Sequence, residues 1–335
     1  MRTTFALGAL CLVVLSFPCS AAEPPATPAP GSAPAARSLQ VETVLTWGER
    51  GTADGQFHSP IGLAIDAEDV LYTTEFRNNR VQRFSTEGKF LGKFPVEEMP
   101  GGIAVDREGA VYVAPMLKHK ICVYDRDGKL LREWGQKGTA DGEFDQPGGI
   151  AIAADGTVYV ADQVNRRIQA FTPEGKFLRT WGEYGSEPGQ FDGVENKPNR
   201  TGGPNFVAVD RHGHIWTTEA KLGRVQEFSP EGKPLSLFGS NSTDPGGFGG
   251  RKTLPGPIAI LVDPQDRVWV TATNHRVQAF DRAGKLLGGV ESLEHGEKPG
   301  EFYTPHAMAM DSKGFLYVVD AQNQRIQKVR VTNAP

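Results

Sequence analysis

GGIAIAADGTVYVADQVNRRIQAFTPEGKFLRTWG, residues 148–182, is the stretch whose reading decides the fold. An apolar run (Gly148–Ala153) meets a turn, then V-Y-V-A-D (Val158–Asp162), a short loop, R-I-Q-A-F (Arg167–Phe171), a Pro-Glu-Gly turn and F-L-R-T-W (Phe177–Trp181). The pieces are short, rich in β-branched and aromatic residues, and bounded by Gly, Asp, Asn or Pro, which is strand and turn chemistry. Fainter copies follow Ile61, Gly101, Asn205, Ile258 and His306. A repeat of roughly 40–50 residues built from four short strands predicts a β-propeller with one blade per repeat.

Lettering the strands a to d from the centre outward, the chain spells six a, six b and six c strands but only five d strands, one after each Gly-Lys turn. The missing one is expected at the other end, where Val41–Trp47 (VETVLTW) resembles KFLRTW. The expected architecture is therefore all-β: a six-bladed propeller, four antiparallel strands per blade, with residues 41–47 closing the ring in the last blade. Closure removes two exposed sheet edges.

The 40 glycines and 24 prolines of the 335 residues suit a turn-rich all-β chain. Residues 1–22, with Arg2, an uncharged stretch from Phe5 to Phe17 and small residues at Ser20, Ala21 and Ala22, read as a signal peptide cleaved after Ala22. Acylation at Cys19 is disfavoured by Phe17-Pro18 before it. Residues 23–38, nearly all Pro, Ala, Ser and Thr, read as an extended linker, leaving 39–332 for the propeller. An exported protein, periplasmic or extracellular and monomeric, is expected, with no transmembrane span. Net charge is −4, a poor match to a nucleic-acid backbone. Outside the leader Cys122 is the sole cysteine, so no internal disulfide holds the domain.

The recurring polar residues are expected to be scaffold. Acids ending strand b (Glu75, Asp162, Glu219, Asp320) and the Arg opening strand c five residues later recur at one spacing, so they should pair across the b–c loop. The phrases P-G-G-I-A-I (Pro147–Ile152), V-Y-V-A-D-x-x-N-x-R-I-Q-x-F (Val158–Phe171), G-K-F-L (Gly175–Leu178) and W-G-x-x-G-x-x-x-G-x-F (Trp47–Phe57, Trp134–Phe144, Trp181–Phe191) resemble the NHL-repeat family over nearly all of residues 41–331. The resemblance implies a propeller. It leaves activity open, since NHL propellers serve as protein- or RNA-binding modules, as sensor domains and, in one branch, as a zinc-dependent amidating lyase.

Function is sought where the repeat breaks, on the face carrying the d–a and b–c loops, here called the top. The residue after the Pro that opens strand a is Ile61, Gly101, Gly148, Asn205, Ile258 and His306 in turn, so Asn205 and His306 stand out. In the second repeat the acid–loop–Arg phrase becomes Pro115-Met116-Leu117-Lys118-His119-Lys120, a basic spot suited to an acidic partner group. A long polar insertion carries Asn199 and Arg200. His212-x-His214 lies in a bottom turn with no third ligand near in sequence.

These residues suggest a binding scaffold for a protein, peptide or glycan. The alternative is a metal-dependent propeller enzyme like the peptidyl-hydroxyglycine amidating lyases. That family's zinc histidines come partly from a Pro-His phrase opening strand a, and Pro305-His306 alone matches it; the family's b–c loop tyrosine has no counterpart. If a divalent metal binds, zinc or calcium, the candidate ligands are His306, His58 and His119. No strand a opens with an acid, which weighs against a carboxylate-ligated lactonase-type site, and no G-x-S-x-G phrase supports a serine nucleophile.

Overall fold

The computed structural model describes residues 39–191, 203–250 and 256–333, and every regular element there is a β-strand apart from a single 3₁₀ turn at Met116–Lys118. The expected leader, the linker and the insertion with Asn199 and Arg200 lie outside the described residues. Among the described residues no helix is long and apolar enough to cross a membrane.

Residues 60–95, 100–134, 147–181 and 204–238 (repeats one to four) each form a four-stranded antiparallel sheet in the order a, b, c, d. Repeats five (257–290) and six do not form separate sheets. They join into one eight-stranded sheet, because the N-terminal strand Leu39–Trp47 pairs antiparallel with Arg325–Asn333 and also touches strand d of repeat five through a single parallel bridge, Leu39 to Gly288. That strand begins two residues earlier than the sequence phrase suggests. A Cβ on Gly288 would lie 2.3 Å from the Leu39 carbonyl oxygen, so the bare backbone permits the contact. The six strands a touch one another in chain order, and the sixth returns to the first.

Burial follows position in the sheet. Strands b and c are covered on both faces and buried along all or nearly all of their length, whereas strand d alternates, as in Phe177–Trp181. The Trp ending strand d packs against the Phe ending strand c of the next repeat: Trp134 on Phe171 (5.8 Å between centroids), Trp181 on Phe228 (5.9 Å) and Trp47 on Phe84 (6.1 Å). The Phe closing the W-G phrase joins each stack, as Phe144 does on Phe171 at 5.5 Å. Trp47 also meets Tyr317, so the first strand seals the same kind of junction as the internal ones.

On the bottom face Asp66, Asp106, Asp210, Asp263 and Asp311 each accept two backbone N–H bonds from the following turn and one from an aromatic six residues on (Tyr72, Tyr112, Trp216, Trp269, Tyr317). Repeat three has Ala153 at this position, and a cleft of about 610 Å³ opens beside it, lined also by Arg107, Arg132 and Arg211.

Candidate functional site

On the top face the acid–Arg pairs form as their spacing predicts. Arg167 Nε donates to Asp162 Oδ2 at 2.8 Å while its other nitrogens reach the carbonyls of Thr139, Ala140 and Glu143, pinning the W-G loop. Arg80 holds Glu75 and the carbonyls of Thr52, Ala53 and Gln56 in the same way. Arg224 with Glu219 and Arg325 with Asp320 repeat the arrangement. The acid and the Arg of the motif are thus tied to each other and to the backbone of the W-G loop, a scaffold role.

His119 has a second structural role. Its Nδ1 accepts the Gln146 backbone N–H at 3.1 Å, tying repeat two to repeat three, with Asp145 Oδ1 3.4 Å away. The same bond recurs around the ring from the residue that precedes strand c: Asn79 Oδ1 accepts from Met99 N (2.9 Å), His275 Nδ1 from Thr304 N (3.2 Å) and Gln324 Oε1 from Ser59 N (2.7 Å). The four acceptors all sit at positive φ. An imidazole accepts through Nδ1 only when that nitrogen is unprotonated. Burial lowers the pKa of His119, opposed by Asp145; burial and then His295 lower that of His275.

The lysines beside His119 do not stand free. Lys118 lies 3.3 Å from Glu98, and Lys120 lies 2.7 Å from Glu133 and 3.6 Å from Glu97. The expected basic spot is thus met by carboxylates of its own chain. Exposed top-face groups sit elsewhere: Tyr184, 59 % exposed, under the Arg166 guanidinium at 4.9 Å; Tyr303, 37 % exposed and stacked on His295 at 4.2 Å; and Leu117.

At the channel mouth, each strand a breaks register directly after its opening Pro, as between Pro147 and Ile150. Such breaks re-aim side chains. Asn205 is buried and donates to the Pro257 carbonyl at 3.1 Å, so it links repeats four and five. His306 has a buried Nδ1 with no partner, and burial alone takes its pKa down to about 4. Gln163, which the sequence reading passed over, is buried with its Oε1 unpartnered; its Nε2 faces the Asn205 carbonyl at 3.4 Å.

The ligand atoms of His58, His119 and His306 do not converge among the described residues. His58 lies at the junction of repeats six and one, where its backbone N–H donates to Glu75, and its ring has no part in a cluster. Among the described residues, the one cluster of three His or carboxylate donors is Asp210, His214 and Glu227 on the bottom face. Carboxylate and imidazole donors suit a divalent ion in kind. Arg282 from the next repeat, however, donates to Asp210 Oδ2 at 2.6 Å and to Glu227, and sits 2.9 Å from His214 Nδ1. Burial raises the Asp210 pKa, but the bonds from Trp216 and Arg282 outweigh it and hold the carboxyl below its usual range. The Arg282 guanidinium already occupies the space between these donor atoms, so the residues do not fit a resident metal.

Three histidines held neutral make the fold acid-sensitive. Each has a folded pKa below the value of about 6.5 of an unfolded chain. The native state therefore binds fewer protons, and the stability they contribute is complete above that value and is lost as pH falls through the folded pKa. For His306 the loss amounts to about 3 kcal/mol between neutral pH and pH about 4. Urea midpoints measured across this range for the wild type and His306→Leu check it: the variant should show a visibly flatter pH dependence, and parallel curves would refute the assignment.

Sheets wound about one closed circuit, with no α-helix among the described residues, define an all-β propeller. A Bacteroides thetaiotaomicron protein of unknown function has a similar fold (TM-score 0.66, 16 % identity, covering 88 % of this chain and 76 % of that one). The NHL repeat family model matches residues 57–84, 144–171 and 302–329. Over 130 residues the chain is 31 % identical to peptidyl-glycine alpha-amidating monooxygenase B of Xenopus laevis, which is 37 % of this chain and 15 % of that protein. It is 22 % identical over 125 residues to a probable peptidyl-alpha-hydroxyglycine alpha-amidating lyase of Caenorhabditis elegans, 37 % of this chain and 36 % of that one. These matches span well under two thirds of either relative.

Proposed function

We propose that the chain is an exported, monomeric six-bladed NHL propeller that works as a binding scaffold, its top-face loops receiving a protein, peptide or glycan. The six-blade count takes the eight-stranded sheet as two blades joined at the single Leu39–Gly288 bridge. The observation that carries the binding reading is the division of labour on the top face. The recurring Asp, Glu, Arg and His residues hold repeats together, while Tyr184, Tyr303 and Leu117 are offered to solvent beside Arg166, His295 and Lys118. Tyr and Arg are the residue types that dominate binding hot spots. Lys118 and Lys120 belong to the surrounding rim, Asn199 and Arg200 are candidate contacts from the sequence alone, and cleavage after Ala22 releases the domain with its linker.

Peptide and glycan arrays probed with the purified domain test this. A specific signal that Tyr184→Ala and Tyr303→Ala each reduce about tenfold is expected; a signal indifferent to both rejects the surface.

The second reading, an amidating-lyase-like zinc enzyme, is favoured by Pro305-His306 and by the amidating relatives. Metal analysis and turnover of a peptidyl-hydroxyglycine substrate separate the two. Stoichiometric zinc that disappears in His306→Ala, together with turnover, would establish the enzyme and displace the scaffold reading.

A further inference from the structure

Two polar atoms at the top of the channel lack what burial demands. Gln163 is 4 % exposed, and its Oε1 has no hydrogen-bond partner. Turning the amide would set that oxygen against the Asn205 carbonyl, so the orphan is the acceptor and not the donor. His306 Nδ1 is likewise buried and unpartnered. The two residues belong to repeats three and six, half a circuit apart. A buried polar atom left unpaired costs about 1–3 kcal/mol, which an apolar side chain would avoid.

Phe206, the residue after Asn205, packs both with the core beside its own repeat and with the cluster containing Ala307 and Tyr317 on the far side of the ring, so it spans the channel as a floor. Below it lies an apolar cavity of about 280 Å³. Gly148 keeps room for the Gln163 amide, since a Cβ there would sit 2.5 Å from Nε2; at Gly101 a Cβ would meet Met116 at 3.0 Å. None of the residues following the opening Pro of strand a, and none of those following strand b, is charged.

We propose that the channel mouth binds an uncharged, largely apolar ligand that brings an N–H or O–H donor to Gln163 Oε1 and shares a hydrogen bond with His306 Nδ1, its apolar face resting on Phe206. A carboxylate or ammonium ligand would lose its hydration with no counter-charge to receive it. This site goes beyond the rim surface of the preceding section and does not need it.

N-acetyltryptophanamide and N-acetyltryptophan share an indole and differ by one carboxylate. Isothermal titration of the purified domain should show saturable binding of the amide and at least tenfold weaker binding of the acid. Gln163→Met should weaken the amide about tenfold and raise the urea midpoint; His306→Leu should weaken it as well, while Leu235→Ala on the outer strand leaves it unchanged. No saturable binding of the amide, equal binding of the acid, or undiminished binding by Gln163→Met would each overturn the proposal. The probe is used alone, so its failure says nothing of a macromolecule on Tyr184 and Tyr303, and a silent array says nothing of the mouth.

Discussion

A chain that starts at residue 48 is expected to lose its cooperative fold, whereas one that starts at residue 39 keeps it. The strand Leu39–Trp47 pairs along its whole length with Arg325–Asn333, and Trp47 fills the junction between Phe84 and Tyr317. Removing it exposes an edge strand and empties an aromatic stack. The penalty, at least about 5 kcal/mol, rivals the whole stability of an ordinary domain. Thermal unfolding by circular dichroism and size-exclusion chromatography read the result. Addition of a peptide of residues 39–48 should restore a single transition. A cooperative, monomeric transition without strand or peptide would show that the ring does not depend on this closure.

The second large effect is expected inside the acid–Arg pairs. Asp162 is fully buried and Arg167 nearly so, and burial pushes the Asp162 carboxyl above its ordinary range even with four hydrogen bonds to it. Arg167→Met leaves that carboxylate without its guanidinium and frees the W-G loop carbonyls. Loss of one partner of a buried pair costs about 3–5 kcal/mol. Asp162→Ala should cost a similar amount, and the double variant about 1–3 kcal/mol less than the sum, since both act in one network. Urea unfolding of the four proteins measures the cycle. Single-variant losses below about 1 kcal/mol would mean the motif is not scaffold and would reopen a catalytic role for it.

The sequence was most informative where the repeat is faithful. Strand order and the pairing of Asp162 with Arg167 follow from local spacing, because partners lie within one repeat or recur in register. The join of the last two repeats was not legible, because it turns on a single bridge from Leu39 to Gly288. Nor was the Asp210–His214–Glu227 cluster, whose guanidinium comes from Arg282, 72 residues beyond Asp210. His119 looked like a binding residue because its own loop is irregular. Its role appears only when it is aligned with Asn79, His275 and Gln324 as the last residue before strand c. Two departures were open to such an alignment: Ala153 in place of Asp, and Phe206 where its counterparts are small. Gln163 carries no signal at all in the sequence, since its distinction is a missing partner.

The closing strand also fixes the order of events at birth. Thr43 hydrogen-bonds Gln327, 284 residues further along. A ribosome adding about 5–20 residues per second needs roughly a quarter of a minute to a minute to deliver the second after the first. Throughout that interval the first strand made has no partner, and the junction that Trp47 fills stays open to solvent. The hairpins of repeats one to five can form as they emerge, but the circuit cannot shut until Arg325–Asn333 is released. The nascent protein therefore passes through a long-lived open arc, with two bare edges exposed to aggregation and to chaperones, before a single last step makes it a disc.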